Sequence, residues 1–143
     1  LNAEFKFDLD AAATQKNAKC ERSLGPDHAA PAWRDALKVK WHRLEGVRSI
    51  WVNPPYSRGL QAAFIAKAAE SVQSDSPLNS PLRIVMLLPA RTDTKAFHEW
   101  IWDAREHTPR CWVREVRFLK GRVRFVGAPA SAPFPSMVVV FGA

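Results

Sequence analysis

This sequence has few cysteines, no membrane-length hydrophobic run and no leader-like hydrophobic segment in residues 1–10, and each absence argues against a class of protein. Its two cysteines, Cys20 and Cys111, lie far apart without a CxxC motif, which disfavours a disulfide framework or a zinc knuckle and favours a reducing cytosol. The longest apolar run, Ile84 to Leu88, is strand-sized, whereas a membrane span needs about 18 residues. The charged start, residues 1–10, has no hydrophobic segment of the signal-peptide kind. We therefore expect a cytoplasmic protein that binds no membrane.

The usual signatures of hydrolases, kinases and metalloenzymes are also missing. The four histidines show no ligand spacing such as HxxxH, so no metal site is expected. There is no Ser–His–Asp order, phosphate-binding loop or pair of carboxylates at a strand end. The sequence thus gives no support to hydrolysis or phosphoryl transfer.

What the chain does have is an ordinary globular composition and an excess of positive charge. Its 143 residues, 47% hydrophobic and 24% charged, predict a single folded domain over residues 1–143. The net charge is +7, and the segment from Arg110 to Arg124 contributes most of it, with six basic residues against Glu115 alone. Such a segment concentrates polyanions and indicates a nucleic-acid partner, although a solvated strand face has the same composition.

The first 50 residues are the least regular part of the chain. Alternation of apolar and charged residues over 5–10 predicts a half-buried strand. The polar residues 14–35 predict a long loop with one helical turn at most. Trp33 and Trp41 belong to this irregular region, and we expect them to be free to line a cleft.

The middle of the chain alternates between strands and helices. Ile50–Val52 and Arg83–Leu88 are typical of buried strands, each stopped by proline. Between them, Gly59–Gln73 has the three- and four-residue spacing of an amphipathic helix. Asp93 or Thr94 is expected to cap the next helix. The apolar face of that helix would contain Phe97, Trp100, Ile101 and Ala104.

The C-terminal part is β-rich. Trp112–Leu119 and Arg122–Val126 both alternate, and the Lys120-Gly121 turn between them predicts a β-hairpin. Met137–Phe141 predicts a last apolar strand. The whole order indicates an α/β fold: a doubly wound, mostly parallel sheet that ends in an antiparallel hairpin. Such sheets bind ligands at the carboxyl ends of their strands, where residues 53–56 and 89–92 are predicted to lie.

The sequence Asn53-Pro54-Pro55-Tyr56, directly after a predicted buried strand, has the properties needed to hold an amino group. Each proline fixes φ at about −65° and restricts the residue before it, and neither proline has an N–H. The Pro54 carbonyl and the Asn53 side-chain carbonyl are therefore two fixed acceptors for a group with two hydrogens. Tyr56 adds an aromatic face for a planar ring. A rigid strand-ending turn without chemistry is the other interpretation of so short a motif.

Two such acceptors suit methyl transfer to the exocyclic amine of adenine. That amine is a poor nucleophile because its lone pair is delocalised into the ring. Acceptors that bind its hydrogens more tightly as positive charge develops localise the lone pair and stabilise the transition state.

The sequence resembles the phage-type DNA N6-adenine methyltransferases, a Dam-like family. NPPY corresponds to motif IV of the amino-methyltransferases that use S-adenosylmethionine. The matching stretches follow the family's order along nearly the whole chain: FDLDAAA (7–13), NAKC (17–20), WVNPPYSRG (51–59), VMLLPARTDT (85–94), FLKGRVRF (118–125) and APFPSMVVVF (132–141).

The resemblance implies a Rossmann-like core that transfers a methyl group from S-adenosylmethionine to N6 of adenine in DNA, in a bacterial host cell. It assigns Asn53 and the Pro54 carbonyl, stiffened by Pro55, to the target amine. It assigns Tyr56 to stacking on the target base, which must leave the duplex to be reached. The candidates for DNA contacts are four arginines: Arg58, Arg91, Arg122 and Arg124.

The cofactor is expected at the end of the first strand. The Gly-rich FxGxG loop of the wider superfamily is absent, and Asp10-Ala11-Ala12-Ala13 takes its place. Small alanines would let the cofactor approach the backbone, and Asp10 would accept a hydrogen bond from its amino group, with Asn53 nearby. The alternative role for Asp10 is to cap a helix. The family usually has a further segment before Leu1, so an N-terminal segment is predicted to be missing.

Two other functions are compatible with the same residues. NPPY also serves methyltransferases that act on RNA bases or on the side-chain amide of a protein glutamine. The missing Gly-rich loop and the abrupt start leave open a non-catalytic, DNA-binding remnant of the fold.

Overall fold

A five-stranded mixed sheet forms the centre of the molecule. The computed structural model describes residues 2–13, 17–74, 81–125 and 128–142. The strands are β1 (Leu9–Asp10), β2 (Ser49–Val52), β3 (Arg83–Pro89), β4 (Trp102–Asp103), β5 (Thr108–Pro109), β6 (Val113–Phe118) and β7 (Ser136–Gly142). The main sheet has the order β1-β2-β3-β7-β6, and β4 pairs with β5 in a small antiparallel sheet. The α/β class is confirmed.

The directions of the strands bring four loops to one edge. β1, β2 and β3 are parallel, whereas β7 is antiparallel to both β3 and β6. β6 therefore runs in the same direction as the first three strands, and the sheet is mostly parallel. Residues 11–13, 53–56, 90–92 and 119–125 all leave the sheet at this shared edge, which we call the carboxyl edge.

Two α-helices, three short 3₁₀ turns and one π-helix complete the regular structure of the described residues. The helices are α1 (Asn2–Phe5) and α2 (Arg58–Gln73), and α2 confirms the helix predicted over 59–73. The 3₁₀ turns are Pro31–Trp33, Ala36–Lys38 and Trp41–Arg43, which is consistent with the long irregular segment predicted there. No helix in the described part of the chain is long and apolar enough to span a bilayer.

The inner strands β3 and β7 are buried on both faces, which explains why their sequences are continuously apolar. On one face, Met86 and Val139 pack with α2 and the 3₁₀ turns in the larger core. On the other face, Val85 and Val140 pack beneath a thinner cover. That cover consists of the side chains of Phe5, Phe7, Trp51, Val123 and Phe125.

The strand predicted over 5–10 is largely wrong. Only Leu9 and Asp10 pair with β2, and residues 2–5 form one helical turn. Lys6 has a φ of 51°, which ends the turn and directs the chain onto the sheet. Glu4 forms an ion pair with Arg117 at 2.6 Å, and the Arg83 and Arg117 guanidinium groups lie 5.8 and 5.3 Å from the centre of the Phe5 ring. These contacts fix the aromatic residues against the second face without a strand.

The helix predicted after Asp93 is shorter than its periodicity indicates. Five residues, Phe97–Ile101, form a π-helix, and the chain becomes extended at Trp102. Phe97 and Ile101 are buried as predicted, but Ala104 lies in an exposed turn. The Asp103 carboxylate accepts from the backbone of Arg105 and Glu106 and stabilises this turn in place of another helical turn.

The predicted C-terminal hairpin has the wrong second strand. β6 pairs antiparallel with β7, whereas Arg122–Phe125 forms no strand, and Val126 lies outside the described residues. The all-apolar β7 buries both of its faces between β3 and β6, which a segment with charged residues at every second position cannot do. The alternation still predicts correctly which side chains of this segment face solvent. Arg122 and Arg124 are exposed, whereas Val123 and Phe125 are half-buried.

Trp41 is fully buried, so the expectation that it lines a cleft is wrong. Its indole N–H donates to the Ala36 carbonyl at 2.9 Å, and its ring lies 6.2 Å from that of Phe64 in α2. Trp33 is half-buried beside the Arg22 guanidinium. Trp41 is thus the largest of several buried side chains that join the irregular segment to the main core.

Trp41→Ala is expected to lower the free energy of unfolding by about 3–5 kcal/mol, because it removes a buried indole and leaves a cavity against α2. Chemical denaturation followed by circular dichroism measures the loss. Trp41→Phe is the matched control, which keeps most of the apolar volume and should cost less. An Ala variant that loses less than about 1 kcal/mol would show that the irregular segment contributes little to the core.

Candidate active site

The Asn-Pro-Pro-Tyr sequence lies at the carboxyl edge, between β2 and α2. Val52 ends the buried strand, and four residues without regular structure follow before Ser57 precedes the helix. Pro54 is buried, Asn53 is half-buried, and Tyr56 is 38% exposed. The predicted strand–turn–helix context of this segment is confirmed.

A hydrogen bond within the segment fixes the acceptor that the sequence predicts. The Tyr56 hydroxyl donates to Asn53 Oδ1 at 3.1 Å. A carbonyl oxygen has two lone pairs, so Asn53 Oδ1 retains capacity for a second donor. Burial raises the pKa of the Tyr56 hydroxyl. Tyr56 is therefore protonated at neutral pH and remains a donor.

Two aromatic side chains lie beside Tyr56 of the motif. The Tyr56 ring lies 6.0 Å from that of Phe125 and 5.3 Å from that of Phe134, the latter edge-on. The Arg91 guanidinium lies 5.8 Å from the centre of the Phe134 ring, and the Ala90 N–H donates to the Pro135 carbonyl at 2.8 Å. Loops from β2, β3, β6 and β7 thus meet around Tyr56.

Asp10 is almost fully buried at the end of β1, with 3% of its surface exposed. Its carboxylate accepts from the backbone N–H groups of Ala12, at 3.3 Å, and Lys19, at 2.9 Å. Burial raises the pKa of Asp10, and these two backbone hydrogen bonds act in the opposite direction. No helix follows Asp10 in the described residues 11–13 and 17–20, so the helix-cap interpretation is not supported there. Asp10 instead holds the loop after β1 in shape.

Two cavities flank this loop and share Ala12 and Asn17 in their walls. The larger, about 480 Å³, is mainly apolar and is bordered by Ala11, Ala12 and Ala13 on one side and by Leu60 and Phe64 of α2 on the other. The smaller, about 160 Å³, is bordered by Asp10, Lys19, Trp51, Asn53 and Phe125. The predicted cofactor residues and the predicted catalytic asparagine therefore lie around one connected region.

Some wall residues of this region were not predicted from the sequence. Gly25 packs so closely that a Cβ there would lie 1.6 Å from the Ala13 carbonyl oxygen. Leu24 N–H donates to the Asp10 carbonyl, and Ala13 N–H donates to the Leu24 carbonyl, so residues 22–25 lie beside the end of β1. A Gly-Pro pair in a segment interpreted as a loop was the available signal. Phe134 was missed as well, and Phe125 both packs on the second face of the sheet and borders the smaller cavity.

The basic segment is less uniform than its composition suggests. Arg110 lies 3.5 Å from Asp103, and Arg117 is held by Glu4 and Glu115. The side chains exposed to solvent are those of Arg114, Lys120, Arg122 and Arg124. Arg91 is also exposed at the carboxyl edge, and Arg58 is the first residue of α2, with a side chain outside the described part of the structure. The described residues contain no group of three or more potential metal ligands.

Comparison with known proteins gives a consistent result. The family model described as DNA N-6-adenine-methyltransferase (Dam) matches residues 1–139. The chain is 32% identical over 109 residues, 76% of its length, to a DNA N-6-adenine-methyltransferase of Escherichia phage T1. It is 32% identical over 102 residues, 71% of its length, to a DNA N-6-adenine-methyltransferase of Haemophilus phage HP1.

The chain spans only part of these relatives, 37% of the phage T1 protein and 49% of the phage HP1 protein. The family match nevertheless covers β1, the Asn-Pro-Pro-Tyr segment, β6 and the first four residues of β7. A match of that extent, over all the elements that build the site, shows that this chain belongs to the DNA N-6-adenine-methyltransferase (Dam) family.

Proposed function

We propose that this chain transfers a methyl group from S-adenosylmethionine to N6 of adenine in DNA. The observation that carries the proposal is the Asn53 side chain, whose amide oxygen is fixed by the Tyr56 hydroxyl at the wall of a cavity that also contains Asp10. Membership of the family supports the reaction, and the activity for which both phage relatives are named supports DNA as the substrate. Their phage origin supports action in a bacterial host cell.

The residues around the two cavities fit S-adenosylmethionine. A volume of about 480 Å³ is within the range of sites for small ligands, which is about 300–1,000 Å³. Its apolar walls suit a nucleoside, and the alanines at 11–13 leave the backbone accessible. The smaller cavity adds the buried Asp10 carboxylate, which suits an ammonium group. When bound, the cofactor supplies an electrophilic methyl group.

The five-stranded sheet is consistent with a Rossmann-like methyltransferase core. Its parallel strands β1 and β2 end at the candidate cofactor and amine sites, as expected of ligand sites in α/β sheets. One domain then contains both sites. Residues 10–13 serve the cofactor and residues 53–56 serve the substrate.

Asn53 and Pro54 act on the target amine as acceptors. The second lone pair of Asn53 Oδ1 and the Pro54 carbonyl each accept one N–H, so the nitrogen lone pair is localised toward the methyl group. These hydrogen bonds strengthen as positive charge develops on nitrogen and therefore stabilise the transition state more than the ground state. Pro55 keeps the turn rigid, and Tyr56 both orients Asn53 and offers its exposed face to the extruded base.

DNA is held by the exposed cations of the carboxyl edge. Arg91, Arg122 and Arg124 are exposed near the loops that surround Tyr56, and Arg58 begins the helix after the motif. Contacts with phosphate fix the position of the duplex and carry no sequence information directly. The exposed cations favour nucleic acid over a protein glutamine as substrate.

Asn53→Ala is expected to lower kcat by about 100-fold or more, the loss typical of removing one group that stabilises transition-state charge. Labelled methyl transfer to plasmid DNA from an adenine-unmethylated host measures the rate. The midpoint of thermal unfolding and the affinity for DNA should stay close to those of the unsubstituted chain, because Asn53 is only half-buried.

Three results would contradict the proposal in different ways. Normal turnover by Asn53→Ala would show that this side chain is not the acceptor. Label found only on RNA or on protein would change the substrate. Calorimetry that detects no binding of S-adenosylmethionine would favour a non-catalytic remnant of the fold.

Tyr56→Phe and Tyr56→Ala separate the two roles of the tyrosine. The Phe variant loses only the hydroxyl that orients Asn53, and we expect a several-fold lower kcat with little change in KM for DNA. The Ala variant also loses the stacking face, worth about 1–3 kcal/mol, and should show a further loss in kcat/KM. Equal activity of the two variants would refute a stacking role.

Replacing Arg122 and Arg124 together by alanine is expected to weaken DNA binding and to flatten its salt dependence. Each lost phosphate contact lowers the slope of log K against log salt by about 0.9. Fluorescence anisotropy at several salt concentrations measures the slope. Arg105→Ala is the matched control, because Arg105 is exposed in the β4–β5 turn, which precedes the other end of β6. An unchanged slope in the double variant would remove these arginines from the DNA interface.

A further inference from the structure

Two adjacent apolar side chains are exposed where β6 ends. Phe118 is 61% exposed and Leu119 is 36% exposed, and we call this pair the apolar tip. The other two large apolar residues exposed in the described chain are Tyr56 and Leu60, and both already belong to the candidate site. The apolar tip is thus the exposed apolar surface that the proposed reaction leaves unexplained.

The backbone beneath the apolar tip is rigid. Phe118 pairs with Met137 in the last register position of β6 and β7, and the Leu119 N–H donates to the Ser136 carbonyl at 3.0 Å. Both side chains are therefore held out from the end of an ordered strand. Exposed apolar groups in such a position lose little conformational entropy when they insert into a partner.

The residues after the apolar tip are cationic. Lys120, Arg122 and Arg124 are exposed, and residues 118–125 contain no acidic side chain. Gly121 has a φ of 76° and open space around it, so it turns the chain directly after the tip. This combination of charge and apolar surface is complementary to nucleic acid, whose phosphates flank an apolar base stack.

The same segment leads back to the candidate site. Val123 and Phe125 face inward, and the Phe125 ring lies 6.0 Å from Tyr56 while it borders the smaller cavity with Asn53. The segment is therefore anchored at both ends, at β6 and at the wall of the site. The exposed side chains of this segment therefore lie at the carboxyl edge, where the target base must arrive.

We propose that Phe118 and Leu119 form a wedge that enters the base stack of duplex DNA as the target adenine is extruded. The inference rests on the proposed function and extends it by naming what opens the duplex. Extrusion costs unstacking free energy and leaves a gap in the base stack. An apolar side chain that fills the gap offsets this cost, while Lys120 and Arg122 hold the adjacent phosphates. The preferred substrate is then double-stranded DNA.

The test compares matched double-stranded and single-stranded DNA with the variant Phe118→Ala/Leu119→Ala. A base in a single strand is already out of the stack, so the variant should keep single-strand methylation within about 2-fold and lose about 10-fold or more on the duplex. Phe118→Trp, which keeps a large aromatic side chain at this position, should retain duplex methylation. Arg105→Ala should leave both rates unchanged, and Arg122→Ala should weaken both substrates in a salt-dependent way.

A second measurement detects the wedge without any methyl transfer. Insertion between base pairs unwinds DNA, so plasmid relaxed by a topoisomerase in the presence of the unsubstituted chain should change its linking number, and the double variant should abolish the change. Unwinding without methylation would refute the proposed function and leave the wedge standing. Methylation without unwinding, together with an equal loss on both substrates in the double variant, would overturn the wedge.

Discussion

The reversed direction of β7 is the constraint on which the rest of the structure depends. Because β7 runs antiparallel between β3 and β6, the last edge strand of the sheet points the same way as the first three. The loops after β1, β2, β3 and β6 consequently open at one edge. A sheet that continued with simple hairpins would have sent the basic segment to the other edge, away from Asn53. One inverted strand thus brings the loop after Asp10, the Asn53 side chain and the exposed cations to the same edge.

The part of this arrangement that was predictable from sequence is the part governed by local rules. Continuous apolar runs identified β3 and β7, helical spacing identified α2, and two prolines after a buried strand identified the turn at Asn53. The choice of which strands pair with each other is not determined by local sequence. Arg122–Val126 alternates as a hairpin strand should, but β7 offers two apolar faces for burial and takes the pairing. The π-helix at Phe97–Ile101 is likewise ended by the side chain of Asp103, which periodicity does not register.

The candidate site shows the same division. Asn53, Tyr56 and Asp10 were identifiable because their residue types suit the chemistry at strand ends. Gly25 and the backbone of Lys19 lie beside residues 10–13, and Phe134 lies beside Tyr56. These contacts join residues far apart in the chain, and a single sequence does not show which distant residues meet. Charge counting was also incomplete. Arg117 carries the same formal charge as Arg122, but it forms ion pairs with Glu4 and Glu115. Fewer unpaired cations therefore face solvent than the composition indicates.

The short N-terminal turn has a consequence for the wall of the site. Phe5 contacts the guanidinium groups of Arg83 and Arg117, and it covers the same face of the sheet as Phe125. The layer that Phe5 and Phe125 share is thin. How tightly it packs therefore depends on both the N-terminal turn and the segment after β6. The free energy that docks the amino terminus is therefore linked to the stiffness of the ring opposite Tyr56. In this protein, the aromatic cover near Tyr56 therefore depends in part on the ion pair between Glu4 and Arg117.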